Sequence, residues 1–371
     1  MRIHIILGGS VCLLLASSSP LVAQQGSTAA ADDPPAEQAY KNIRVLKGVP
    51  RSQFMNTMFF QRYALGVSCT YCHVDGQWEK DDKPAKQKAR QMIQMVLDLN
   101  RTTFKGDKAV NCVTCHRGSP KTQTEIEGKR LTFDEMLTPR HHTESVVEQS
   151  RSRLPSVDAV LAKYIASLGG QQKLEGIKHT VTTGTLITAE GLAVPYEESF
   201  VAPNQWVSIT HFGADLGDWS RGFDGTTAWN KDNRGVNVQA GQAKGRFEIT
   251  VAFQTPLHVR DLYTDLKVLG EETMGSTPTI VLEGRATPTG LRERLYFESS
   301  SGLLRRRSTI NEGAYGDYLT DIYYDEYRSI DGIMMPLMTS EFTPDFGTVR
   351  KLRTVDHDAV PNPAIFAKPE K

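Results

Sequence analysis

"NCVTCHRG", residues 111–118, sets two cysteines three apart with a histidine directly behind the second, and "SCTYCHVD", residues 68–75, repeats the arrangement. How these two CxxCH units are read decides what the N-terminal part of the 371-residue chain is. Of its five cysteines, Cys69, Cys72, Cys112 and Cys115 lie in the two units, and Cys12 falls in an apolar run near the start. With Cys12 set aside as a small apolar residue of that run, no cysteine is left for any other purpose. That economy points to a dedicated chemical role for both pairs.

Three chemistries use such pairs. A four-cysteine zinc site would join two knuckles, but 39 residues separate Cys72 from Cys112, more than such ribbons use, and zinc needs no histidine fixed behind each pair. A Cys-x-x-Cys disulfide suits an oxidising compartment, yet it also leaves His73 and His116 unexplained. Covalent haem accounts for all six residues: each cysteine adds to a porphyrin vinyl group, and the adjacent histidine ligates the iron. The expectation is two c-type haems, with disulfides as the alternative.

The second axial ligand decides what each iron does. The segment "RSQFMNTMFFQRYALG" (51–66) precedes the first unit and "PAKQKARQMIQMVLDLN" (84–100) the second. Both read as helices. Met55 and Met58 share a face of one, and Met92 and Met95 share a face of the other. Spacing alone leaves them as core gap-fillers or ligands.

"NIRVLKGVPRSQFMNTMFFQRYALGVSCTYCHV" (42–74), "PAKQKARQMIQMVLDLNRTTF" (84–104) and "VNCVTCHRG" (110–118) together resemble one half of the cytochrome c subunit of photosynthetic reaction centres. The resemblance covers roughly residues 40–120 and implies a helix–CxxCH–helix–CxxCH order with a helix methionine as sixth iron ligand. On the matching positions it assigns Met58, eleven residues before Cys69, to the first iron and Met92 to the second. Met55 and Met95 are the reserves. The chain departs from the family in carrying two units rather than four, so dihaem electron transfer is implied and photosynthesis is not.

Arg2, the apolar "IILGGSVCLLLA" (5–16) and "LVA" (21–23) read as a signal peptide cleaved after Ala23, which places the mature protein in a periplasm. The chain holds 43 basic and 43 acidic residues, and losing Arg2 leaves 42 − 43 = −1. Nucleic acid is therefore not the expected partner. Haem propionates would add negative charge, which suits an electropositive redox partner protein; peripheral association with a membrane is a second candidate.

The expected domains are 1–23 signal peptide, 24–38 linker, 39–120 dihaem cytochrome domain, 121–153 irregular linker and 154–371 a β domain. In the last, Ser156 caps a helix with Val157, Val160, Leu161, Tyr164 and Ile165 on one face, ended by Gly169-Gly170. Strand-like runs such as "HTVTTGTLIT" (179–188) follow, with hairpin turns in "FESSSGLLRRR" (297–307) and "YRSIDGIMMP" (327–336). The fold class expected is α+β: a small all-α dihaem domain, then a curved antiparallel sheet with one packed helix.

The stretches "ASLGGQQKLEGIKHTVTTGTL" (166–186), "VAPNQWVSI" (201–209), "RGFDGTTAWN" (221–230) and "IDGIMMPLMTSEF" (330–342) loosely resemble periplasmic lipoprotein-carrier domains. That resemblance implies a lipid-like ligand. Trp206, Trp219, Trp229, Phe200 and Tyr196 are candidates to line its pocket or simply core. His179, His211, His258 and His357 show no ligand spacing. The function expected is electron relay rather than catalysis; a dihaem peroxidase-like enzyme with one open iron, or a haem-bearing carrier or sensor, are the rivals.

Overall fold

The computed structural model describes residues 33–122, 154–214, 216–251, 255–344 and 346–370. The signal-peptide reading and most of the 121–153 linker lie outside these residues.

The N-terminal segment holds α1 (Ala36–Ala39), α2 (Arg51–Leu65), α3 (Cys69–Cys72), α4 (Pro84–Thr102) and α5 (Cys112–His116). Pro84 opens α4, where its missing N–H costs nothing and its fixed φ is already helical. Gly66 closes α2 in the left-handed conformation. Of the stretch read as a linker, residues 33–38 fold back onto α2. Asp33 accepts from the Ser52 amide at 2.9 Å and from its hydroxyl at 2.6 Å, and Ala36 is fully buried.

Among the described residues, thirteen strands make one antiparallel sheet in the order β6-β5-β4-β3-β2-β1-β13-β12-β11-β10-β9-β8-β7. The strands are β1 (His179–Ile187), β2 (Ala193–Val201), β3 (Gln205–His211), β4 (Asp218–Phe223), β5 (Ala228–Asp232), β6 (Gly235–Gln239), β7 (Tyr263–Met274), β8 (Thr277–Ala286), β9 (Arg292–Glu298), β10 (Leu304–Glu312), β11 (Asp317–Ile330), β12 (Ile333–Thr343) and β13 (Phe346–Asp356). Two meanders are joined where β1 pairs with β13. Strands β6 and β7 follow each other in the chain but sit at opposite edges of the sheet. The chain between them must cross the whole sheet, and it does so through α8 (Gly241–Val251) and α9 (Thr255–Leu262).

One packed helix was expected; four are found. Helices α6 (Val157–Ser167), α7 (Gln171–Gly176), α8 and α9 all contribute to the main core. Ser156 caps α6 as expected, its hydroxyl accepting from the Ala159 amide at 3.2 Å. Val160, Leu161 and Tyr164 of α6 pack with Leu282, Leu295 and Phe297 of the sheet. Leu282 is completely buried, a burial that stabilises by about 1.5–3 kcal/mol. The turn at Asp331-Gly332 has both residues at positive φ, as a tight hairpin demands.

A second core joins the helical segment to the sheet. Leu46, Phe60, Ala64, Ile93 and Val96 pack with Tyr315, which lies between β10 and β11. The helical segment is therefore not a closed all-α unit, because part of its core is supplied by the sheet.

Candidate functional site

The two CxxCH units fold alike. In each, the cysteine pair forms a single helical turn, α3 and α5, that brings both thiols onto one side. All four thiols are free. Among the described residues no three His, Cys, Asp or Glu groups converge on a metal-sized cage. The four-cysteine zinc arrangement is thus not assembled.

The histidines repeat a second feature. His73 Nδ1 is 2.9 Å from the Trp78 carbonyl oxygen, and His116 Nδ1 is 2.9 Å from the Ser119 carbonyl oxygen. Each contact fixes the proton on Nδ1 and leaves Nε2, which bonds no described residue, as a lone-pair donor. Burial lowers the His73 pKa and nearby Lys86, Arg90 and Lys83 lower it further, against the Trp78 carbonyl. The shift favours the neutral ring, the form that ligates.

The loop carrying Trp78 is pinned by charge. Lys86 is only 8% exposed and donates to the Trp78 and Lys80 carbonyls at 2.8 and 2.7 Å. Asp81 gathers Arg44 at 2.8 Å, Arg90 at 2.9 Å and Lys86 at 3.3 Å. The Arg90 hydrogen bond is the main reason its carboxyl lies well below the usual range.

The second unit is held from both ends. Asn111 caps α5, accepting from the Val113 and Thr114 amides at 3.0 and 3.3 Å while its own amide donates to the Thr114 hydroxyl at 3.0 Å. Behind the unit, the Gly118 amide donates to the Ala64 carbonyl at 2.8 Å. A Cβ on Gly66 would come 2.3 Å from the Gly118 carbonyl oxygen. Gly66 thus ends α2 and lets the second unit press against it, two roles that its place between α2 and the first unit conceals in the sequence.

Met58 is half-buried against the helical core, and Met92 is half-buried on α4. Met55 and Met95, the reserves, are exposed, as are Tyr71, Trp78 and Val113 around the units. Burial pushes the Cys112 thiol up to about 11 and raises Cys72 as well. Two Cys-Cys-His donor sets amid exposed apolar side chains fit a covalently bound porphyrin. Its face would cover those side chains, and its iron would take Nε2.

The aromatic residues considered for a lipid pocket do not gather around one. Trp206 packs in a core with Phe200 and Phe223, while Trp229 belongs to a different core with Val207 and Phe366. Its indole donates to the Phe366 carbonyl at 3.1 Å. Tyr196 is buried, and Trp219 is exposed against Phe212. Their sequence runs are strands whose successive residues face opposite sides. A cleft of about 790 Å³ lies instead between α2 and the sheet, lined by residues including Met55, Phe59, Arg62, Asn230, Arg246 and Tyr318. Of the four other histidines among the described residues, His211, His258 and His357 have polar partners at 2.9–3.3 Å, whereas His179 Nδ1 is buried without one.

Comparison with known proteins agrees with the N-terminal geometry. Residues 12–151 match the family model described as photosynthetic reaction centre cytochrome C subunit. The photosynthetic reaction center cytochrome c subunit of Thermochromatium tepidum is 36% identical over 89 residues, 23% of this chain and 22% of that protein. Cytochrome c-554 of Chloroflexus aurantiacus is 32% identical over 149 residues, 38% of this chain and 31% of that protein. The chain thus spans a third or less of the length of these relatives. Solved structures similar to the remainder include a DUF1329 family protein from Desulfovibrio piger, with TM-score 0.43 and 13% identity over 57% of this chain and 97% of that one. A LolA superfamily protein from Nitrosomonas europaea gives TM-score 0.42 and 14% identity, over 58% and 99%. Over the segment that holds both CxxCH units, this chain resembles the reaction-centre cytochrome c subunit family, a family of c-type cytochromes.

Proposed function

We propose that this protein is an exported dihaem c-type cytochrome that relays electrons. The observation that carries the reading is the repeated histidine geometry: His73 and His116 each have Nδ1 on a backbone carbonyl at 2.9 Å. Each stands directly behind two free cysteines on one helical turn. Cys69 and Cys72 would attach the first haem and Cys112 and Cys115 the second. His73 with Met58, and His116 with Met92, would complete two six-coordinate irons.

Bound haem supplies one-electron chemistry at a potential set by its axial ligands and surroundings. The chain's own part is to hold the two imidazoles in one tautomer, to keep apolar side chains over the groups, and to fix the loop at Trp78 through Lys86 and Asp81. Methionine ligation raises the potential relative to two histidines, which suits relay between a donor and an acceptor protein. Absorption spectra with and without carbon monoxide test the relay. Two closed irons leave the reduced spectrum unchanged on adding the gas. Ready binding in the untreated protein would favour the peroxidase-like reading with an open iron.

The cleft favours a second reading, a carrier or sensor. It is walled by Met55 and Phe59 of α2, the helix that also bears Met58, and its mixed lining suits an amphipathic, lipid-like molecule. Mass spectrometry of organic extracts of the purified protein tests it. A stoichiometric co-purified lipid supports that reading, and an empty extract counts against it.

A further inference from the structure

The tip of the β10–β11 hairpin, Gly313-Ala314-Tyr315-Gly316, is planted in the helical segment beside the second CxxCH unit, where Tyr315 and Cys112 share one core. Its seating is specific. The Ala314 amide donates to the Thr57 hydroxyl at 2.9 Å, Lys108 Nζ donates to the Gly313 carbonyl at 2.8 Å, and Asn56 Nδ2 donates to the Glu312 carbonyl at 3.2 Å. The Phe60 ring meets Tyr315 edge-on at 6.0 Å. A Cβ on Gly316 would lie 2.3 Å from the Phe60 ring, so the tip fits only with glycine there.

Tyr315 is 1% exposed, and Cys112 packs against the same core. The tyrosine hydroxyl is buried with no hydrogen bond of good geometry, and so is the side-chain nitrogen of Gln61. Gln61 and the Cys112 thiol each lie close enough to the Tyr315 hydroxyl to perturb it, and burial drives its pKa far upward. A buried hydroxyl left unpaired is destabilising, which calls for a partner in the working protein. A thiol can give or accept a proton. Once the Cys112 sulfur is bonded to carbon in a thioether, it can only accept, and the adjacent Tyr315 hydroxyl is the donor within reach.

We infer that Tyr315 is a positioning residue for the second haem, and that through it the sheet sets the properties of that haem alone. The inference rests on the dihaem reading. A hydrogen bond donated to the thioether sulfur draws electron density from the macrocycle and raises its potential. Among the described residues the first unit has no such contact, and the Trp78 loop stands against its histidine instead.

The experiment is a spectroelectrochemical titration of the full-length holoprotein, unaltered and with Tyr315→Phe. A chain with Cys112→Ser and Cys115→Ser, carrying the first haem only, identifies the first wave. Tyr315→Phe keeps the ring and the packing and removes only the hydroxyl. The expected result is two haem masses per chain, a lower midpoint for the second wave and an unmoved first wave. Two haem masses with both waves unmoved, or with both displaced alike, would overturn the inference while leaving the dihaem reading intact. Loss of both haem masses from the unaltered protein would instead remove the reading beneath it. Gly316→Val is the second variant: it should unseat the tip and lower the second wave at least as far as Tyr315→Phe, and an unmoved second wave would count equally against the role.

Discussion

Asn100 and Val110 hold each other by both ends of one side-chain amide. Asn100 Nδ2 donates to the Val110 carbonyl at 2.8 Å, and the Val110 amide donates to Asn100 Oδ1 at 3.0 Å. Asn100 is 7% exposed near the end of α4, and Val110 stands two residues before Cys112. The pair imitates a strand rung and fixes where the second unit begins.

Asn100→Ala therefore removes two hydrogen bonds and strands two backbone groups. The expected loss is about 2–3 kcal/mol from two bonds and their desolvation, read as a lower midpoint in urea unfolding. Asn100→Asp keeps the acceptor for Val110 and should recover part of the loss. Equal midpoints for Asn100→Ala and the unaltered protein would contradict the role.

Asp81 gives an acid dependence with a defined sign. Hydrogen bonds from Arg90 and Asn42 hold its folded pKa below the unfolded carboxylate value of about 3.9. A depressed carboxyl stabilises the fold above the unfolded value, and that contribution drains away as pH falls toward the folded one. Asp81→Asn should be less stable than the unaltered protein at pH 7, with the gap closing below about pH 4. Parallel stability curves from pH 7 to pH 2 would show that the Arg44–Asp81–Arg90 cluster does not act this way.

Glu293 lies 2% exposed in the main sheet. It accepts from the Tyr263 hydroxyl at 2.5 Å and the Thr309 hydroxyl at 2.9 Å, with Arg307 at 3.9 Å. Burial and this carboxylate keep the tyrosine protonated and donating. Glu293→Ala takes the acceptor from the Tyr263 and Thr309 hydroxyls and one carboxylate from the half-buried Arg307, and each buried hydroxyl left unpaired costs about 1–3 kcal/mol. Thermal melting should fall accordingly, with Glu293→Gln in between; a melting point unchanged by Glu293→Ala would rule the network out as a stabiliser.

Met58→Ala and Met92→Ala should each open one iron while leaving both haem masses attached. Carbon monoxide should then bind one haem of the two in each variant, and both in the double variant. Unaltered spectra in both single variants would send the ligand assignment to Met55 and Met95 or to other side chains.

Much of this was legible in the sequence because local signals were strong. The cysteine–histidine units, the capping Ser156, the α6 face and the Asp331-Gly332 turn are each written within a few residues. Strands β4, β5, β6, β7 and β13 were not legible. β13, "FGTVRKLRTVD", carries four cationic and acidic side chains yet pairs centrally with β1 and β12. The sheet is solvated enough along it that no apolar alternation is required. The crossing helices α8 and α9 follow from the opposite-edge placement of β6 and β7, a topological fact that no window of sequence contains. The same holds for Tyr315, whose relation to Cys112 spans about two hundred residues and has no local signature.

The central claim is that two haems are covalently attached through Cys69, Cys72, Cys112 and Cys115. The direct measurement is the intact mass of the mature protein, produced with haem-attachment machinery and extracted with acid to strip loose haem. The account predicts two retained haem masses, located by peptide mapping to the two CxxCH units. A polypeptide mass with no haem would contradict it and return both units to disulfide chemistry, and a single retained haem would contradict the dihaem count.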